Sequence, residues 1–259
     1  MHAAELCFRL KPRAKPTEEP TRAIHDFLWS LERNGQLVPD TTRIDVETRN
    51  GCRVFALIPE STSLRRSRFD RHVHEVLQRL EDCGIDPPAI RVLGRAPDSD
   101  PVCACMRSTS LILRTDFLSG ELPLTCGQCR GIVPFYRFDP TSECATYEDI
   151  IFWMYQYRAF DSIWIASRGG EKLAYRELTR HDSELTKDGL EVCGAIEKHT
   201  RRPVYYYLLR FHGRFVAAER KRPCPSCGGA WLLKRRWHGK YDFRCRRCRL
   251  VSNIACEAV

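Results

Sequence analysis

The sequence predicts an α+β protein with a ferredoxin-like βαββαβ N-terminal domain, a zinc-binding middle segment with helices, and a C-terminal zinc ribbon. Three observations carry this expectation. Strand-like and helix-like apolar periods alternate over residues 1–95, two close cysteine pairs occupy the middle, and two Cys-x-x-Cys pairs flank a basic loop near the C-terminus. The expected domains are 1–95, 102–215 and 216–259.

In the first region, "ELCFRL" alternates Leu6, Phe8 and Leu10 as a strand. After the Pro-rich "KPRAKPTEEP" come Ile24, Phe27, Leu28 and Leu31 at the spacing of an amphipathic helix, with Gly35 placed to close it. "TRIDVETRNGCRVFALIPE" reads as two strands around Asn50-Gly51, a dipeptide that readily takes the positive φ angles of a two-residue turn. Val73, Val76, Leu77 and Leu80 mark a second helix, closed by Gly84 and followed by the strand "AIRVLG". The linker "APDSDP" ends this region. A helix is expected to open near Thr146 at the capping sequence "TYED", and another at "HDSEL", capped by Asp182 or Ser183. "RPVYYYLLRFHGRF" reads as a strand and turn leading to the last module.

Eight of the 14 cysteines fall in close pairs. Without a secretory signal, pairing of this kind points to metal and away from a disulfide framework. Cys224 and Cys227, then Cys245 and Cys248, have the spacing of a closed tetrahedral zinc site, in which each turn aims two thiolates at one ion. Gly228 and Gly229 let the backbone wrap the metal closely. Four thiolates leave no open position, so this Zn2+ is expected to be structural. Cys103, Cys105, Cys126 and Cys129 form a candidate second zinc site. Its rivals are a site that recruits Cys144 and a ribbon that no longer holds metal. Cys7, Cys52, Cys83, Cys144, Cys193 and Cys256 are expected to be small buried apolar residues.

The net charge of +9 is local. Residues 201–250 hold 15 Lys or Arg against Glu219 and Asp242, a net of +13, and the remainder of the chain is slightly acidic. Lys234, Arg235, Arg236, Lys240, Arg246, Arg247 and Arg249 are candidate phosphate contacts, with Trp237 or Tyr241 stacking on a base. The plainer alternative has the aromatics packing the ribbon and the charges solvating it. The expected partner is nucleic acid or a nucleoprotein complex. The rival is an acidic protein surface, with the chain acting as an accessory subunit or toxin-neutralising partner.

"LTCGQCRGIVPFYR", "PVYYYLLRF" and "RPCPSCGGAWLL…WHGKYDFRCRRCRLVSNIA" resemble uncharacterised bacterial proteins described as containing a zinc ribbon, for which nucleic-acid binding is conjectured. The resemblance covers residues 100–256 well and the N-terminal part loosely. It implies metal ligation by Cys126, Cys129, Cys224, Cys227, Cys245 and Cys248, and it supplies no catalytic residue.

Catalysis is not expected. His72 and His74 are two residues apart on a helix and face different directions, His25-Asp26 has the same weakness, and no phosphate-cradling loop or nucleophile elbow occurs. A small-molecule substrate is therefore not expected either. No window approaches the length of a membrane span, and a cytoplasmic location is expected.

Overall fold

Alternation puts Ala4, Leu6 and Phe8 on one side of β1 (His2–Leu10), all buried, and the same period in β3 (Gly51–Ile58) buries Cys52, Val54, Ala56 and Ile58. These two strands pair antiparallel at the centre of a sheet in a computed structural model, which describes residues 1–11, 18–48, 51–97, 99–105, 108–138 and 145–258. The structure is mixed α+β with two sheets. It divides into one unit of Met1–Ala104, Gly120–Leu122 and Gly131–Glu148, and another of Cys105–Ser119, Pro123–Arg130 and Asp149–Val259.

In the first unit, β2 (Arg43–Thr48) pairs with β3, and β4 (Ile85–Arg95) with β1, giving the order β2-β3-β1-β4 with every pair antiparallel. Helices α1 (Glu18–Arg33) and α2 (Arg71–Asp82) follow β1 and β3. Their stripes Ile24, Phe27, Leu28, Leu31 and Val73, Val76, Leu77, Leu80 join the inward residues of the strands in one core. Asp70 caps α2 by accepting the Val73 N–H at 2.7 Å. Gly35 ends α1 at φ 70°, and an added Cβ would meet the Phe135 ring at 2.8 Å. The strand expected as "AIRVLG" is longer, because it begins directly after Gly84 at φ 80°. Asn50 of the expected turn, residues 12–17 of the Pro-rich connection, Cys144 and the side chain of Thr146 lie outside the described residues.

Glu60 ties the later segment of this unit to the sheet. Its carboxylate accepts from Arg68 at 2.7 Å, Arg137 at 2.6 Å and the Tyr136 hydroxyl at 2.7 Å. Burial pushes its pKa up, but these three donors outweigh burial and hold it at about 2.

The second unit is built on a six-stranded sheet of order β6-β5-β7-β10-β9-β8. Its strands are β5 (Leu111–Leu113), β6 (Leu124–Cys126), β7 (Val204–Tyr207), β8 (Leu232–Trp237), β9 (Tyr241–Cys245) and β10 (Leu250–Ser252). Helices α3 (Ala145–Ala166), α4 (Glu171–Thr179), α5 (Glu184–Thr200) and α6 (Val216–Arg220) complete the chain. Ser183 caps α5 by accepting the Thr186 N–H, while Asp182 pairs with Arg180. β7 is parallel to both β5 and β10, so the C-terminal cysteine module continues a sheet that starts in the middle of the sequence. α5 lies against β7 at Gly189, where a Cβ would come within 2.1 Å of the Tyr206 ring and 2.6 Å of Trp153 Nε1. No helix among the described residues is long and apolar enough to cross a membrane.

Two outcomes are expected. Gly189→Ala gains helix propensity yet overpacks Tyr206, costing about 1–3 kcal/mol of stability by urea denaturation; an unchanged midpoint would contradict the close approach. The depressed pKa of Glu60 stabilises the native state fully above its ordinary value of 4.5, and this stabilisation is lost as pH falls towards 2. Glu60→Gln should therefore be less stable than the wild type at neutral pH, and the gap should close on acidification. A gap that stays constant down to pH 2 would contradict it.

Candidate metal centres

In the ribbon, Cys224 and Cys227 precede β8, Cys245 closes β9 and Cys248 leads into β10. Their four sulfurs lie within 4.8 Å of one another, with Cys227 and Cys245 3.7 Å apart. Cys224 and Cys245 are buried, and Cys227 and Cys248 half-buried. The knuckle is shaped by main-chain bonds. Gly228 N–H donates to Cys224 O at 2.8 Å, Cys224 N–H to Gly229 O at 2.9 Å, and Cys248 N–H to Cys245 Sγ at 3.4 Å. The Gly229 N–H lowers the Cys227 pKa to about 7, whereas burial pushes Cys224 up to about 12. A dication bound between them would let all four sulfurs ionise together.

The ribbon is packed from within. Trp231 lies 4.9 Å from Phe243, and the Arg222 guanidinium covers both rings at 5.0 and 4.6 Å. The Trp231 indole N–H donates to Arg222 O at 2.9 Å. Glu219 pairs with Arg210 and Arg222; burial would raise its pKa, but the two guanidinium groups hold it below the usual range. These contacts favour the packing role that the sequence allowed for Trp231 and Phe243.

The inner group repeats the same turn. Cys126 ends β6, its sulfur accepts the N–H groups of Gln128 and Cys129 at 3.3 and 3.4 Å, and Arg130 N–H donates to Cys126 O at 2.9 Å. The sulfurs of Cys105, Cys126 and Cys129, all in the second unit, fall within 4.8 Å of one another. Cys103, two residues before Cys105 in the chain, is the fourth cysteine of the group. Arg130 (φ 66°) leaves its knuckle in the left-handed region, as do Gly228 (φ 70°) and Arg249 (φ 55°) at the two knuckles of the ribbon. N–H groups aimed at sulfur in both groups are what a thiolate-bound cation requires of its surroundings. Of the scattered cysteines, Cys52 and Cys193 are buried and Cys7 and Cys83 half-buried, but Cys256 is exposed, contrary to expectation.

The candidate contact residues separate into two sets. Lys234, Arg235, Arg246 and Arg247 are exposed and make no ion pair among the described residues. Lys240 is exposed at the hairpin turn. Arg236 is paired with Asp242 at 2.7 Å, and Arg249 with Glu197 at 2.7 Å. Trp237 does not stand out as a stacking platform. Its indole N–H donates to Gly127 O at 2.8 Å, its ring meets Tyr205 edge-on at 5.4 Å, and the Arg244 guanidinium lies over it at 4.8 Å. Tyr241 is buried. His238 (φ 56°) and Gly239 (φ 67°) form the hairpin turn, and His238 Nε2 lies 2.9 Å from Gly127 O. Sequence reasoning found the turn and missed the bond to Gly127, since nothing local marks that carbonyl as an acceptor.

Three family models, each described as a domain of unknown function, match the chain: DUF8589 over residues 1–94, DUF2310 over 105–209 and DUF8594 over 213–258. None is described as a zinc ribbon. An uncharacterized protein of Haemophilus influenzae is 29% identical over 98% of both chains. A second from the same organism is 31% identical over 67% of this chain and 85% of its own. No solved structure matches.

Removal of one ribbon thiolate tests the metal assignment. Cys227→Ser should lower the bound metal by one ion per chain and unfold β8–β10, because such sites supply roughly 10–16 kcal/mol of apparent binding energy to small modules. Full metal content by elemental analysis of that variant would contradict the ligand set.

Proposed function

The chain belongs to the same family as these uncharacterised Haemophilus influenzae proteins, and from that footing we infer that it is a zinc-stabilised protein whose basic ribbon binds nucleic acid. The metal in each centre is Zn2+, held by Cys224, Cys227, Cys245 and Cys248 in the ribbon and by Cys105, Cys126 and Cys129 with Cys103 in the inner centre. All-thiolate donor sets with knuckle N–H groups directed at sulfur suit zinc, and closed sites of this kind hold structure together and leave no position for substrate. The first unit is read as ferredoxin-like, a reading supported by its βαββαβ succession and the order β2-β3-β1-β4.

The observation that carries the binding proposal is the set of exposed cations Lys234, Arg235, Arg246 and Arg247, which make no ion pair among the described residues while Arg236 and Arg249 beside them are paired and Arg222 and Arg244 lie over aromatic rings. Cations left open on a rigid, metal-clamped module suit the phosphates of a polyanion. Arg236 and Arg249 serve structure in this reading, and Trp237 stacks on no base. Recognition is then of backbone charge, with little reading of base identity.

A protein partner remains the second reading, favoured by the position of β8 at the sheet edge, where open main-chain groups accept an added strand from an acidic segment. No catalytic role is proposed. His74 packs on Phe69 at 5.6 Å, and Ser183 is occupied as a helix cap.

Fluorescence anisotropy with a labelled single-stranded oligonucleotide tests the first reading. Affinity should fall linearly on a log–log scale with salt, and replacing Lys234, Arg235, Arg246 and Arg247 by Ala should reduce the slope by about 0.7–1 for each phosphate contact removed. Binding that is insensitive to salt, or a slope untouched by the fourfold variant, would contradict it. Retention of one defined protein partner after nuclease treatment, with no oligonucleotide binding, would replace it with the second reading.

A further inference from the structure

The two cysteine groups meet through one carbonyl. Gly127 O, inside the Cys126–Cys129 knuckle, accepts from Trp237 Nε1 at 2.8 Å and lies 2.9 Å from His238 Nε2, so the tip of the ribbon hairpin is fastened to the inner knuckle. The fit is close. A Cβ at position 127 would come within 2.2 Å of Ser110 Oγ and 2.8 Å of the Trp237 ring. β8 needs this fastening, because its pairing with β9 is regular only at Leu232↔Phe243 and Trp237↔Tyr241, and the register breaks between them. The stretch carrying Lys234 and Arg235 is thus an edge segment held at its two ends, and the Trp237 end is held by Gly127.

The direction of the Gly127 carbonyl follows from the knuckle, whose shape depends on two thiolates converging on one ion. We propose that the inner centre is a metal-dependent latch: its ion fixes the Gly127 carbonyl, the carbonyl fixes Trp237 and His238, and these position the basic hairpin for its polyanion. Trp237 is then a positioning residue for binding. Loss of the inner ion frees the hairpin while the ribbon keeps its own ion. The inference rests on the two-ion, polyanion-binding reading above. By linkage it also runs in reverse, so that weakening the Trp237 bond loosens the inner ion.

The test uses the full chain with two variants. Cys129→Ala removes an inner thiolate. Trp237→Phe keeps an aromatic ring at the position and removes the N–H donor together with part of the indole's ring surface. Cys129→Ala should retain one ion per chain, and amides over 232–241 should exchange about tenfold faster while both ribbon knuckles remain protected. Trp237→Phe should retain two ions and release the inner one to a chelator about three- to tenfold faster, the worth of one neutral hydrogen bond, with release of the ribbon ion unchanged. Its affinity for a labelled oligothymidylate should fall by a similar factor. General damage to the unit would speed release of both ions equally, and that result overturns the latch. Two ions in the wild type with unchanged hairpin exchange in Cys129→Ala overturn the latch alone. One ion or none in the wild type overturns the two-centre reading and the latch with it.

Discussion

Sulfurs gathered within 4.8 Å of one another can carry negative charge together only around a cation. Two unit charges about 4 Å apart repel by about 4 kcal/mol at an effective dielectric of about 20, and each centre contains several such pairs. A dication held between them would reverse the sign of this balance. The ribbon would depend on such an ion, since β8, β9 and β10 are short, at six, five and three residues. The rest of the second unit benefits as well, because β10 pairs with β7 and thereby joins the ribbon to the strands beneath α5.

The sheet of this unit has two edges, β6 and β8. β6 ends in the inner knuckle, and β8 ends in the turn that bonds to that knuckle at Gly127. Ile112, Tyr205, Tyr241 and Val251 fill the space between, with Trp237 packed against them. The basic surface is therefore a small part of a larger arrangement in which most charged and aromatic side chains already have internal work. Arg222, Arg236, Arg244 and Arg249 hold the ribbon together, and the local excess of positive charge overstates what is open to a partner.

How much of this could be read from the sequence follows from the range of each interaction. The stripes of α1 and α2, the alternation of β1 and β3, the Ser183 cap and the Cys-x-x-Cys pairs are local patterns, and each carries its own periodicity or spacing. The parallel pairing of β10 with β7 and the Trp237–Gly127 bond join residues far apart in the chain and leave no local mark. The left-handed Arg130 and Arg249 were also hidden, since a glycine is the usual sign of that conformation and only Gly228 displays it. α4 carries no clear signal in the sequence because it is short and begins directly after Gly169-Gly170, which reads as a loop. Trp237 looked available because sequence shows an aromatic among cations and cannot show where its N–H is committed.

The central claim is that two all-cysteine centres each hold one zinc ion and that the second unit is built around them. X-ray absorption at the zinc edge on the full-length protein, combined with elemental analysis, measures this directly. The account predicts two zinc ions per chain and an average shell of four sulfur scatterers at about 2.3 Å, with no nitrogen or oxygen ligand. A shell that includes nitrogen or oxygen, or fewer than two ions per chain, would contradict it.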